Sequence, residues 1–510
     1  MEDVKKTIGH FAPGLIANPE AVPHCPENLF RADACPPDTR IGDSAADVTV
    51  FGGVTTTNTG RIYNEQLLAG EAGRLGIIVD TLPEKTFLTA PFYLRDTDYG
   101  LDGVLDDLPR IAPGVQITRL AFTLYGDVQG RHFTRAPTAC TVHTSTGEAY
   151  AYDHPEPATG PSSSLTPTGC ATVPFKPGFK IAVGSKSENG FGSHPPVNVV
   201  VTQAPGEAAI SSNGTTLPPQ LTPNLAALQT ICTEAQLAAK ACPPASQLGT
   251  ATASSAFVAQ PLSGPVYVVQ LPGSSLPSLV AELFGRVHVR ITIANAIVNG
   301  RQVRSTVTNA PDLPVSSFTL SLNGGPKGAL TAKSDLCFAS RSHTRFRTLK
   351  SGVTFGGHNG AKVSSTPRIG VNGCPPSLRA TIRGARRKRA RLSAVVRRHP
   401  DAQKMTRLDL YLPRSARFVR SKVKHGASGK AAAKLGPRSF KVFGKRRLRV
   451  ALPRGGVSKV ALKLPRGAVK VKPSLQRKVS RGRRPKLTFK LVAFDPAGNK
   501  LLTRATGRAR

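Results

Sequence analysis

Residues 34–42 read ACPPDTRIG and residues 241–249 read ACPPASQLG, nearly the same nine residues 207 positions apart (241 − 34 = 207). Ten positions before each motif cysteine stands another, Cys25 before Cys35 and Cys232 before Cys242, so the repeated object is a two-cysteine frame and not a turn alone. The match runs on upstream as P-x-L-x-x-N at 13–18 and 219–224. Downstream it continues as G-x-x-Y-x-x-Q, with Gly60, Tyr63 and Gln66 answering Gly264, Tyr267 and Gln270. A period this long is a whole domain, since solenoid repeats recur every 20 to 50 residues or so. The chain is therefore a tandem array.

All eight cysteines obey the period: Cys25, Cys35, Cys140 and Cys170, then Cys232, Cys242, Cys337 and Cys374. None of these spacings matches the short C-x-x-C knuckles or nearby histidines of a zinc site. A catalytic thiol has no reason to come in duplicate fours. An even, periodic set reads as disulfides and hence as an oxidising, extracytoplasmic compartment, against the plainer alternative of buried free thiols. The twofold repetition leaves three pairings per unit, of which Cys25 with Cys35, Cys140 with Cys170, Cys232 with Cys242 and Cys337 with Cys374 is the expected set.

If the fourth cysteine closes each unit, the domains are 1–170, 171–374 and 375–510. The first is short: 61 residues separate Cys170 from Cys232, but only 24 precede Cys25. The period thus predicts an N-terminally truncated first unit, with about 37 further residues (61 − 24) and a secretory signal upstream of Met1. The present N-terminus, MEDVKKTIGH, lacks the apolar run of such a signal. No window approaches the 18 or so uninterrupted apolar residues of a transmembrane helix.

Charge marks the last boundary independently. Residues 375–510 hold 41 Lys and Arg against Asp401, Asp409 and Asp495, a net +38. The remaining 28 bases and 27 acids sum to +1. A neutral array is joined to a polycation.

Period-two alternation dominates. RVHVRITIA (286–294) sets Val287, Val289, Ile291 and Ile293 on one face, and Asn299-Gly300 follows as a hairpin signal. SSFTLSLNGG (316–325) and RLAFTLYGD (119–127) alternate likewise. Short helices are expected only inside the small cysteine loops, at 233–241 and 26–34. In the basic region, RLDLYLP (407–413), RRLRVALP (446–453), KVALKLP (459–465) and KLTFKLVAFD (486–495) carry apolar residues on one face and cations on the other. Three L-P-R sequences mark strand exits. The expected fold class is mainly β: tandem antiparallel β-sandwich-like domains with short helices, the last an Ig-like basic sandwich.

No constellation of catalytic residues emerges, so the chain reads as a non-enzyme. Asp96, Asp98 and Asp102 in DTDYGLDG resemble a calcium loop. However, the glycine falls one position early, position twelve is Asp107, and the sister unit places Asn299-Gly300 opposite Tyr99-Gly100. A solvated hairpin is the better reading, and no metal or cofactor is expected. His288 alternates outward on its strand and reads as a surface residue. Asn213-Gly214-Thr215 matches a glycosylation sequon. Trp is absent and aromatics are 6%, which disfavours stacking clefts for sugars or single-stranded nucleic acid.

The polycation gathers polyanions by counterion release, or is simply a solvated basic surface. The expected contact residues are Arg386, Arg387, Lys388, Arg389, Lys445, Arg446, Arg447, Arg449, Arg481, Arg483 and Arg484. Outside a cell the available partners are anionic wall polymers, anionic lipid head groups and extracellular DNA. The alternative is a nucleic-acid-binding protein acting through 375–510, which leaves the cysteine frame unexplained.

The stretches PGLIANPEAVPHC, CTEAQLAAKACPPASQLGTATAS, PLSGPVYVV and APDLPVSSFTLSLNGG resemble a group of secreted repeat proteins common in high-GC actinobacteria. The likeness spans most of 11–374, and the basic tail resembles their Ig-like C-terminal domains. It implies a β-rich secreted or surface protein and carries no functional residues with it.

Overall fold

The computed structural model describes residues 3–510 apart from 51–52, 82–83, 111–113, 155, 273–275, 301, 309, 387–389 and 432. The chain is mainly β, and the strands fall into three large sheets of nine, fourteen and ten strands with short two-stranded ribbons beside them.

The first sheet runs, in spatial order, Ala158–Leu165, His143–Ala151, Val4–Phe11, Leu101–Leu105, Thr86–Leu94, Gly73–Val79, Val54–Asn64, Arg40–Val50 and Val115–Leu124. The second repeats this order as Lys362–Ser365, Gly352–Gly357, Ile210–Thr216, Gln302–Val307, Val289–Val298, Ser278–Leu283, Leu262–Gln270, Gln247–Ser254 and Ser317–Leu322. It then adds Val197–Thr202, Gly178–Val183, Arg368–Val371 and Leu349–Lys350, and Cys232–Thr233, paired on Leu262–Gln270 off this path, is the fourteenth strand. Among the described residues, Val115–Leu124 pairs on one side only, with Arg40–Val50. Its counterpart Ser317–Leu322 is flanked on both sides.

The added strands change the shape of the sheet. Leu349–Lys350 forms one margin, whereas Gly352–Gly357 lies next to the other, and only Ser351 separates them in the chain. One margin and the neighbour of the opposite margin, a single residue apart in the chain, require the sheet to curl round on itself. Its inward residues form the largest core of the neutral region.

The duplicated motif has a local physical cause. Each small cysteine loop holds one short helix, Glu27–Arg31 or Glu234–Ala238, that buries a single apolar side chain, Phe30 or Leu237. Thr233 and Gln236 form a reciprocal capping box on the second. In the P-P-x-[T/S] sequence that follows, the Thr39 and Ser246 hydroxyls donate to the Pro36 and Pro243 carbonyls, both at 2.6 Å. The motif glycine is a matter of close approach: a Cβ on Gly42 would lie 2.3 Å from the Thr123 carbonyl oxygen, and one on Gly249 would lie 2.1 Å from that of Ser321.

The third sheet is a two-faced structure around a separate core of alternating residues. Leu487, Phe489, Leu491 and Ala493 of Lys486–Phe494 all point into it. The three L-P-R sequences follow strands ending at Tyr411, Ala451 and Lys463, where proline ends the ladder. Two helices, Arg420–Gly426 and Pro473–Ser480, lie outside the cysteine loops to which the sequence pattern confines helices. The second had a legible signal in Pro473 at its first turn and Leu475 and Val479 four apart, both buried.

Candidate polyanion interface

The eight cysteines form four disulfides, Cys25–Cys35, Cys140–Cys170, Cys232–Cys242 and Cys337–Cys374, with no free thiol among the described residues. They brace the first two units, and the basic sheet holds none.

Three acids face 41 bases in 375–510, and each acid is already engaged. Asp409 is buried and accepts the Arg449 Nε–H at 3.0 Å, a hydrogen bond that raises the Arg449 pKa further above its ordinary value. Asp401 reaches back to the second unit, accepting from Arg368 at 2.9 Å and from the Val371 amide at 2.8 Å. Asp495 closes its own turn on Asn499. The outer face is left with cations that no carboxylate balances.

Strand register assembles these cations. Across Phe440–Phe443, Arg447–Ala451, Arg407–Tyr411, Lys486–Phe494 and Lys500–Ala509, one row of directly opposed residues reads Phe443, Arg447, Tyr411, Lys490, Arg504. At about 4.8 Å per strand this row spans about 19 Å. Aromatic rings alternate with charges: the Arg447 guanidinium lies 4.5 Å from the Phe443 centroid and the Lys490 ammonium 5.2 Å from that of Tyr411. Beside the row a surface hollow of about 450 Å³ is lined by Arg414, Arg446, Lys486, Lys490 and Arg504, with no acidic residue in its lining among the described residues. All five side chains are exposed. Like charges also oppose each other across strands, Lys486 against Arg508 and Lys490 against Arg504, an arrangement that repels itself unless an anion lies between.

The sequence-expected contact residues divide. Arg446 lines the hollow, Arg447 belongs to the row, and Arg449 is spent on Asp409. Lys445 is exposed in the turn beside them. Arg386, Arg481, Arg483 and Arg484 are exposed on loops near helix Pro473–Ser480, where Gln476 donates to the Arg386 carbonyl at 2.9 Å. Arg387, Lys388 and Arg389 lie outside the described residues. Sequence reasoning did not place Arg414, Lys486, Lys490 and Arg504 in the site, since no run of cations marks them.

The acidic hairpin is an ion-pair knot. Arg95 holds Asp98 at 2.9 Å and Asp102 at 2.6 Å, and His10 holds Asp102 at 2.8 Å, so a guanidinium occupies the position a calcium ion would need. No cluster fit to hold a metal occurs among the described residues. His288 differs from its expected role as a surface residue. It bonds Glu282 at 2.6 Å and Asp96 at 3.1 Å and stacks on Phe284, joining the second unit to the first. The sequon residue Asn213 sits within strand Ile210–Thr216, its amide donating to the Thr354 carbonyl at 3.2 Å.

No protein-family model matches the chain, and no curated protein does. Solved structures give distant likenesses. The C-terminal domain of a Streptococcus agalactiae antigen I/II polypeptide is 8% identical with a TM-score of 0.25, over 65% of this chain and 100% of that one. A collagen adhesin from S. aureus is 5% identical at 0.17, over 65% and 91%. The major pilin subunit of Bacillus cereus is 7% identical at 0.19, over 93% and 95%. Likenesses this shallow do not fix the pairing of strands, and the function must come from the molecule's own geometry.

Proposed function

We propose that this is a non-enzymatic, extracytoplasmic surface protein. Two disulfide-braced β units, 1–170 and 171–374, form a neutral array, and the basic sandwich 375–510 docks it on anionic envelope polymers. The observation that carries the reading is the row and hollow of Arg414, Arg446, Arg447, Lys486, Lys490 and Arg504 on one face, in a unit whose only three acids are engaged elsewhere. Cations fixed on a broad sheet suit a flexible chain of phosphates or carboxylates lying across the strands. They do not suit base readout, which calls for a helix or narrow ribbon in the major groove. Four disulfides support an oxidising compartment.

The test is retention of the full-length protein on purified cell wall and on duplex DNA at one ionic strength. Wall retention exceeding DNA retention is the expected result. DNA retention exceeding wall retention favours a nucleic-acid-binding protein, and retention on neither overturns both.

A further inference from the structure

The curled second sheet encloses a cavity of about 340 Å³. Its wall is built by alternation: Val289, Ile291, Ile293 and Asn295 on one strand, Phe318, Leu320 and Leu322 on another, and Val197, Val199 and Val201 on a third. Every second residue faces inward, and no charged residue lines the space among the described residues. The first unit contributes Leu94 and Leu101 to the wall, held there by Tyr99, whose hydroxyl donates to the Arg290 carbonyl at 2.8 Å.

Two observations indicate that this volume is built for an occupant. Val199, Leu279, Ile291, Val307 and Phe318 pack on the core and line the cavity, yet each is only half-buried. Protein interiors ordinarily pack tightly, with few voids larger than a water molecule. Among the polar lining residues, Thr215, Ser305 and Asn295 are moreover engaged with protein partners. Ser305 donates to Asn295 at 2.8 Å, and Asn295 donates to the Pro277 carbonyl at 3.0 Å. Thr215, Ser305 and Asn295 stand side by side on three adjacent strands as one neutral polar row. The apolar stretches of the wall offer little to water, which needs two to four polar partners.

We propose that this cavity binds an aliphatic hydrocarbon chain, with the polar row Thr215–Ser305–Asn295 meeting an uncharged oxygen at one end. An apolar cavity of about 150 Å³ takes up benzene, six carbons, so about 340 Å³ accommodates a chain of about fourteen (340/150 × 6). The proposal is independent of the basic face.

Dodecan-1-ol and sodium dodecanoate, titrated into the full chain by calorimetry, are the probes, and organic extraction of the protein from its host followed by mass spectrometry tests for a natural lipid. One dodecanol is expected to bind per chain, at least tenfold more tightly than dodecanoate, because the cavity holds no cation. Val199→Phe with Val307→Phe, which fill the space without adding charge, should weaken dodecanol at least tenfold. Thermal unfolding and four intact disulfides serve as the check that the filled variant folds. Should that variant not fold, Ser305→Ala, which deletes only the hydroxyl from the polar row, is expected to weaken dodecanol while leaving dodecane binding unchanged. Absence of dodecanol binding by the native chain, or equal binding by a folded filled variant, overturns the proposal.

Discussion

His399 lies with none of its surface exposed at the seam between the second and third sheets. Its ring meets that of Phe346 edge-on, 4.8 Å between centroids. Its Nδ1 accepts the Asp401 amide at 3.3 Å, which leaves the proton on Nε2, buried without a partner among the described residues. Burial pushes the imidazole down to about 4 from an ordinary 6.5, against the Asp401 carboxylate 3.5 Å away, which pulls it up. Between these values the unfolded chain binds a proton that the folded chain refuses. The residue's contribution is thus fully present above pH 6.5 and is lost as pH falls through 4. At about 1.4 kcal/mol per pH unit the ceiling is about 3 kcal/mol, of which about 2 kcal/mol goes between pH 7 and pH 5. Hydrogen exchange of amides in Ser377–Arg383 and Arg391–Arg397, in the full chain, reads the opening free energy directly. It should fall by about 2 kcal/mol more in the native chain than in His399→Phe over that interval. Equal pH dependence in the two proteins would refute the argument.

Asp312 is buried and accepts from both the amide and the hydroxyl of Thr138, at 2.6 and 2.7 Å, with Arg135 at 3.7 Å. Asp312→Ala strands a half-desolvated arginine and should cost about 3–5 kcal/mol, read as faster proteolysis between the first two units. Removing Cys337–Cys374 frees a loop of 37 residues against 10 for Cys232–Cys242. The double serine variants should therefore lose about 4 and about 3 kcal/mol on denaturant unfolding. Gly249→Ala, whose new methyl meets the Ser321 carbonyl, should destabilise the second unit more than Gly206→Ala, where the new methyl meets nothing within 4 Å and only the left-handed backbone opposes it.

The cysteine frame and the period-two patterns made the strands and the short helices legible, because both are local. Val287, Val289, Ile291 and Ile293 do share a face, and all four line the cavity. Alternation says which residues look the same way, but not which strands are neighbours. The closure of the second sheet depends on pairings such as that of Gly178–Val183 with Arg368–Val371, 188 positions apart at Ala182 and Gly370 (370 − 182). The basic hollow was hidden for the same reason. Consecutive cations such as Lys445 and Arg446 mark turns, since adjacent strand residues point to opposite faces, whereas Lys486, Lys490 and Arg504 come together through register, with Arg414 on a turn beside them. The contact of His288 with Asp96 is not legible in the sequence, because Asp96 belongs to the other unit.

The central claim, that a register-built cationic face holds this molecule to an anionic polymer, is tested most directly by the salt dependence of wall binding. The full-length chain is compared with a variant carrying Arg414→Gln, Lys486→Gln, Lys490→Gln and Arg504→Gln. The affinity of the native chain should fall steeply with salt, and the variant's logarithmic slope should be shallower by about 3, at about 0.7 per lost contact. Identical slopes for the two proteins, or wall binding indifferent to salt, would contradict it.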